Sequence, residues 1–256
     1  VETSTPRTRA VFAAILIAYV LYALLFVWNT SFVLDDERTF CLLDDAMISM
    51  RYARNLAGGE GGVWNPGETP VEGFTNPLWV GYMALWHLLP IPASKMALPV
   101  QLTGILLTVL SLVLIWKTAL DLQGGSPQSA LAAAAVFAFY YGYNMWVLMG
   151  METGAATLIL IAVAREGIRW IRGTDHGRVR GRVVPLLALG VLLRMDMALP
   201  LFVIVTFSTA AVAVATGRLG IGVWVRLVAW IVLPLVGLMI ARRVYFGDWF
   251  PNTYYL

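Results

Sequence analysis

Eight apolar segments alternate with polar stretches along the chain, at residues 10–30, 77–91, 97–116, 129–148, 153–171, 183–193, 198–217 and 222–243. The longer ones reach or approach the ~20 apolar residues that a helix needs to cross ~30 Å of hydrocarbon. The pattern predicts an all-α polytopic membrane protein, and no internal repeat is visible in it. The longest polar stretch begins at Ser31 and contains one further helix signal. Asp44 is a suitable N-cap and Gly58 a suitable stop, so a short helix is predicted over 45–57. Helical spacing would set Asp44, Met47, Ile48, Arg51 and Asn55 along one side of it. Gly61–Glu68 is turn-rich, and Val71–Trp79 leads back to the membrane.

Orientation follows from lysine and arginine in the short loops. Arg7 and Arg9 precede the first segment and place the N-terminus on the cytoplasmic side. Arg165, Arg169, Arg172, Arg178, Arg180 and Arg182 place the 165–182 loop there too, against only Glu166 and Asp175. The two assignments agree only if one early segment fails to cross. The segment at 77–91 is short, starts at Pro77 and ends at Pro90-Ile91-Pro92. It is therefore read as a re-entrant or interfacial helix, tolerated where protein covers it. About seven transmembrane helices remain, in one module spanning residues 1–256, with 31–96 as an outer loop.

Composition supports lipid as the solvent. The chain is 59% hydrophobic and 13% charged, where a soluble domain carries about 25% charge. Ala10–Trp28 is longer than a signal-peptide apolar region and lacks a small-residue cleavage site after it, so it is expected to stay as an anchor. A single cysteine, Cys41, excludes an internal disulfide, and His87 and His176 lie far apart, which argues against a zinc cluster. His87 reads as a polar lining or interface residue. The net charge of +3 comes from basic residues at helix ends and is no nucleic-acid signal.

Candidate chemistry concentrates in the outer loop. Asp44 and Asp45 form an acidic pair at a helix start, with Arg51 and Arg54 within reach of an anion, although capping and surface ion pairs explain the same residues. Glu68 and Glu72 return toward the bilayer beside Asn76 and aromatic residues. Carboxylates beside a low-dielectric medium have raised pKa values unless cations offset them, and such a group can serve as a base near neutral pH. Asp44 and Asp45 could also hold Mg²⁺ or Mn²⁺ through oxygen ligands; pairing with Arg51 or Arg54 would serve as well. Asp35-Asp36 is a second acidic pair just upstream. Arg194, at an apolar helix end, is a functional candidate by its cost in lipid, or a structural partner of Asp196 or Glu152. Glu152 begins a helix and favours its dipole. Arg242 and Arg243 suit a lipid headgroup or a substrate phosphate equally.

Three stretches carry a resemblance: Asp44-Asp45-Ala46-Met47-Ile48-Ser49-Met50-Arg51-Tyr52-Ala53-Arg54-Asn55-Leu56, Val63-Trp64-Asn65-Pro66-Gly67-Glu68, and Val71-Glu72-Gly73-Phe74-Thr75-Asn76-Pro77-Leu78-Trp79. Together they resemble the GT-C membrane glycosyltransferases, which use polyprenyl-phosphate sugars, and within them bacterial members that include cell-wall arabinofuranosyltransferases. Gly150-Met151-Glu152-Thr153, Leu193-Arg194-Met195-Asp196 and Tyr245–Thr253 extend the match in the expected order over most of the chain. The resemblance implies a seven-helix module and an inverting single displacement on the outer face of the plasma membrane. Asp44 matches the leading acid that takes the proton from the acceptor hydroxyl, and Asp45 its neighbour, with Glu72 beside them as a catalytic candidate. Arg51, Arg54, Asn76, Glu152, Arg194, Asp196, Arg242, Arg243 and Asn252 are the implied donor-phosphate or substrate-binding residues. The partners expected are a polyprenyl-phosphate sugar, a glycan, lipid or protein acceptor, and the bilayer itself. Members of the family continue with more helices or an outer soluble domain, so a further part is expected beyond Leu256. A transporter or lipid flippase is the competing reading, and it would call for paired broken helices or internal symmetry.

Overall fold

The computed structural model describes residues 5–122, 126–173, 176–217, 220–250 and 252, without the side chains of 176–180. The chain is 76% helical and resolves into two compact units, Val1–Met47 with Leu89–Leu158, and Ile48–Leu88 with Ile159–Leu256.

The first unit opens with α1 (Pro6–Thr30), whose Thr5 hydroxyl accepts from the Thr8 N–H while Pro6 occupies the first turn. A hairpin of β1 (Phe32–Leu34) and β2 (Glu37–Thr39) follows. Asp35 and Asp36 form its turn at φ 49° and 60°, a left-handed conformation that aspartate tolerates better than most residues. That accounts for the upstream acidic pair as turn chemistry. The unit then holds α4 (Ala97–Asp121), α5 (Pro127–Ala138) and α6 (Tyr141–Leu148). Ala130, Ala134 and Ala138 form a fully buried stripe on α5, where small side chains allow close packing against α1 and α4. Phe12 stacks on Trp116 at 4.7 Å between ring centres.

The predicted 129–148 segment is broken. α5 and α6 meet at an angle of 53°, and the buried Asn144 side chain donates to the carbonyl of Ala138 (2.8 Å) and to that of Tyr140 (3.2 Å), which also accepts the Asn144 backbone N–H. The side-chain amide thus satisfies the Ala138 carbonyl at the bend.

The second unit contains α3 (Pro77–His87), α8 (His176–Leu193), α9 (Ala198–Thr216) and α10 (Ile221–Tyr245). Two helices run through the unit boundaries: α2 (Asp44–Ala57), divided after Met47, and α7 (Thr153–Ile171), divided after Leu158.

Among the described residues four helical stretches are long and apolar enough to cross a membrane: Pro6–Thr30, Ala93–Asp121, Met195–Thr216 and Ile221–Tyr245. The bent α5–α6 pair makes five if it counts as one span. Seven spans are therefore not reached among the described residues. α7 carries Arg165, Glu166 and Arg169 in its last two turns, and the apolar part of α8 is confined to Gly181–Leu193. α3 has 11 residues and is about 16 Å long, too short to cross ~30 Å of hydrocarbon by itself. The long helices leave large apolar side chains uncovered, such as Leu25 on α1, Leu106 on α4, Phe207 on α9 and Leu233 on α10. Patches on this scale are stable against lipid rather than water.

Candidate functional site

The chain before Asp44 is held firmly within the first unit. Phe40 N–H donates to the Ser94 carbonyl (2.8 Å) and Leu43 N–H to the Met149 carbonyl (2.9 Å). Gln101, buried on α4, donates to the carbonyls of Cys41 (3.2 Å) and Leu148 (3.1 Å). Gly150 turns at φ 91°, and a side chain there would run into Leu42. The start of α2 is thereby fixed in place.

Asp44 and Asp45 are both exposed. Asp44 is the first residue of α2 rather than the residue before it, and its Oδ1 accepts from the Asp45 N–H at 2.9 Å. No ion pair among the described residues involves either carboxylate. The alternative of pairing with Arg51 or Arg54 does not occur among the described residues, and Arg51 is committed elsewhere. Buried Glu152 lies in the same unit, directly before α7, where its charge favours the helix dipole. No group of three or more His, Cys, Asp or Glu able to hold a metal ion occurs among the described residues. An ion at Asp44 and Asp45 would take its remaining ligands from water or substrate.

In the second unit the 58–76 loop is built against α2. Arg51 Nε donates to the Trp64 carbonyl (3.0 Å) and Nη2 to Asn65 Oδ1 (2.6 Å), with the guanidinium 4.0 Å above the Trp64 ring. Buried Asn55 donates to the carbonyls of Val63 (2.8 Å) and Trp64 (3.0 Å). One turn earlier, the Tyr52 hydroxyl donates to the Val71 carbonyl (2.6 Å) and accepts from the Gly73 N–H (3.0 Å). Burial pushes the Tyr52 phenol above its usual range, which keeps that proton in place. Ser49 donates to Asn76 Oδ1 at 3.1 Å, and Asn65 donates to Glu68 at 2.8 Å. Tyr52, Asn55 and Ser49 thus hold loop backbone and side chain that would otherwise be free.

Glu72 is the centre of this arrangement. It is 5% exposed, and Arg242, from the last turn of α10, is 3% exposed. Arg242 Nε lies 2.8 Å from both carboxylate oxygens and donates to Oε1. Glu72 Oε2 and Arg242 Nη2 are buried with no hydrogen-bond partner among the described residues. Burial pushes the Glu72 carboxyl above the usual carboxylate range, and the hydrogen bond and charge of Arg242 pull it part of the way back. The Asn252 N–H donates to the Glu72 carbonyl (3.0 Å), and Tyr245 accepts from the Gly62 N–H (3.0 Å). Phe74 packs edge-on against Tyr52 and Phe246.

Arg242 Nη1 also lies 2.7 Å from the Met195 sulfur, which brings the Arg194–Asp196 segment beside this pair. Arg194 chelates Asp196, with Nε to Oδ1 at 3.0 Å and Nη2 to Oδ2 at 2.8 Å, which favours the structural alternative. Arg54 is exposed. Arg243 is also exposed and lies 6.0 Å from the Trp249 ring centre. Sequence reasoning named Glu72 and Arg242 singly but missed their pairing, along with Tyr52 and Asn65, and placed Asn55 on one side of the helix without a role. The signal for Tyr52 and Asn55 was their i, i+3 spacing on a predicted helix followed by a turn-rich loop.

No family model matches the chain, and no curated protein or solved structure matches it significantly.

Proposed function

We propose that the chain is a membrane glycosyltransferase of the GT-C type, transferring a sugar from a polyprenyl-phosphate donor to a glycan, lipid or protein acceptor at the outer face of the plasma membrane. One observation carries this reading. The resembling stretches Val71–Trp79 and Tyr245–Thr253 meet through the Asn252–Glu72 backbone bond, and Arg242, three residues before the second stretch, pairs with Glu72 across 170 residues of sequence. Motifs that match in order along a chain gain weight when distant ones also share a site.

In the proposed reaction the acceptor hydroxyl oxygen attacks the anomeric carbon from the face opposite the donor phosphate. The bond from that carbon to the phosphate oxygen breaks, and its electron pair leaves with the polyprenyl phosphate. Asp44, exposed and without an ion-pair partner among the described residues, takes the hydroxyl proton, with Asp45 beside it. The departing phosphate calls for a cation, because a charge-assisted hydrogen bond strengthens as negative charge develops. The same reading takes α7 and α8 as crossings that complete a seven-helix module, with the charged end of α7 at the bilayer surface.

A transporter is the second reading, favoured by the broken α5–α6 pair. That break is single among the described residues and is capped from within by Asn144, whereas the transporter pattern requires two in corresponding positions. The discriminating experiment incubates purified protein with polyprenyl-phosphate pentoses and hexoses and an envelope acceptor. Glycosidic product is expected from wild type, with at least ~10²-fold less from Asp44→Asn, the loss typical of a missing general base. Normal turnover in Asp44→Asn would move the base to Asp45 or Asp35, while substrate movement without product would establish transport.

A further inference from the structure

A groove of about 300 Å³ runs between the start of α8 and the first turns of α10, away from Glu72 in sequence and unused by the transfer reaction. Its walls are Gly181 and Val184 from α8 and Val223, Arg226, Leu227 and Trp230 from α10. The α10 residues follow i, i+3, i+4, i+7 spacing, so they form one continuous face along two helical turns. Nothing lies within 4 Å of where a Cβ would stand at Gly181, which leaves the α8 side open.

Its lining is apolar except at Arg226. This arginine is exposed, and no hydrogen bond or ion pair among the described residues involves it. Buried Glu166 on α7 is committed to Arg169 (3.1 Å) and Arg182 (3.6 Å). In sequence the same helix ends carry Arg165, Arg169, Arg172, Arg178, Arg180, Arg182 and Arg226 against Glu166 and Asp175. Arg226 is the sixth residue of a 25-residue apolar helix, about 7.5 Å from its first residue at 1.5 Å per residue. At that depth a long arginine stem lies along apolar surface while its head reaches the headgroup layer. Exposed Trp230 lies one turn deeper in the same groove and offers a flat apolar wall.

We propose that this groove binds one acidic phospholipid, with its phosphate on Arg226 and an acyl chain along Val184, Val223, Leu227 and Trp230. The charge selects the lipid: an unpaired arginine amid a surplus of arginines favours a net-negative headgroup over a zwitterionic one. The apolar length selects an acyl chain over a free phosphate.

Native mass spectrometry of the full chain in a neutral detergent tests this, with dioleoyl phosphatidylglycerol and dioleoyl phosphatidylcholine titrated separately. Wild type should bind phosphatidylglycerol more tightly than phosphatidylcholine. Arg226→Ala should weaken phosphatidylglycerol about fivefold, the scale of one arginine at a membrane surface, and remove the preference. Arg226→Lys should retain the preference, and Arg226→Glu should reverse it. Val184→Trp fills the groove and should weaken both lipids. Arg226 is exposed, so its variants fold, and a melting curve on each sample checks this. Equal wild-type affinity for the two lipids would overturn the proposal, as would wild-type phosphatidylglycerol binding by Arg226→Ala and Arg226→Glu.

Discussion

Arg242→Met isolates the Glu72–Arg242 pair. Methionine keeps much of the apolar stem and removes the guanidinium, so Glu72 would remain 5% exposed with no cation at 2.8 Å. Removing one member of a buried pair costs about 3–5 kcal/mol, chiefly from the uncompensated charge left behind. Replacing both members by apolar side chains of similar volume is close to neutral, so Glu72→Met with Arg242→Met should recover most of the loss. The pH dependence has a definite sign. Burial already holds the Glu72 carboxyl above its usual range, and Arg242 opposes that rise. Without Arg242 the folded pKa rises further above the unfolded value of ~4.3. A carboxyl raised on folding binds its proton more tightly in the native state. Stability is then fully present below the unfolded pKa and is lost as pH climbs through the folded one. The Arg242→Met deficit should therefore be smaller at pH 5 than at pH 8. Urea or thermal unfolding of detergent-purified wild type, Arg242→Met and the double variant measures all of this. Equal stability of wild type and Arg242→Met at pH 8, or a deficit that grows toward acid, would refute the buried-pair argument.

Two other outcomes test the frame around the site. At Gly104 a Cβ would lie 2.6 Å from the Val147 carbonyl oxygen, a backbone atom that cannot swing away, so Gly104→Ala should cost about 1–3 kcal/mol, read as a lowered melting temperature; an unchanged one would mean that α4 and α6 separate freely. In a Cys41→Ser background, single cysteines at Gly62, Ser94 and Asp248 should react with an impermeant maleimide from outside intact cells, and one at Gly177 only after permeabilisation. Labelling of 62 and 94 from opposite sides would show that α3 crosses the bilayer.

Much of the architecture was legible in the sequence because lipid imposes a simple rule: every backbone polar group must be satisfied within its own helix. The long apolar runs therefore had to be helices, and α1, α4, α9 and α10 occur where those runs lie. The helix expected at 45–57 forms as Asp44–Ala57, because its amphipathic spacing and terminating glycine are local signals. Where charges interrupt an apolar run, as on α7, the apolar segment is not among the described helices long and apolar enough to span. The hairpin at Phe32–Thr39 escaped notice because three-residue strands show no readable alternation. So did the bend near Phe139, which is stabilised by Asn144 reaching back to carbonyls a sequence window treats as helical.

The sequence by itself determined an apolar, helical chain with its polar chemistry confined to one loop and a few helix ends, since composition and periodicity are properties of local stretches. Only the tertiary structure decided which of those polar residues act together. It joined Glu72 to Arg242 across 170 residues and paired Arg194 with its neighbour Asp196. It also left Asp44 and Asp45 without an ion-pair partner among the described residues. The physical reason is that a buried charge is stable only beside its partner, and which partner reaches it depends on how helices pack, a relation that no local pattern encodes.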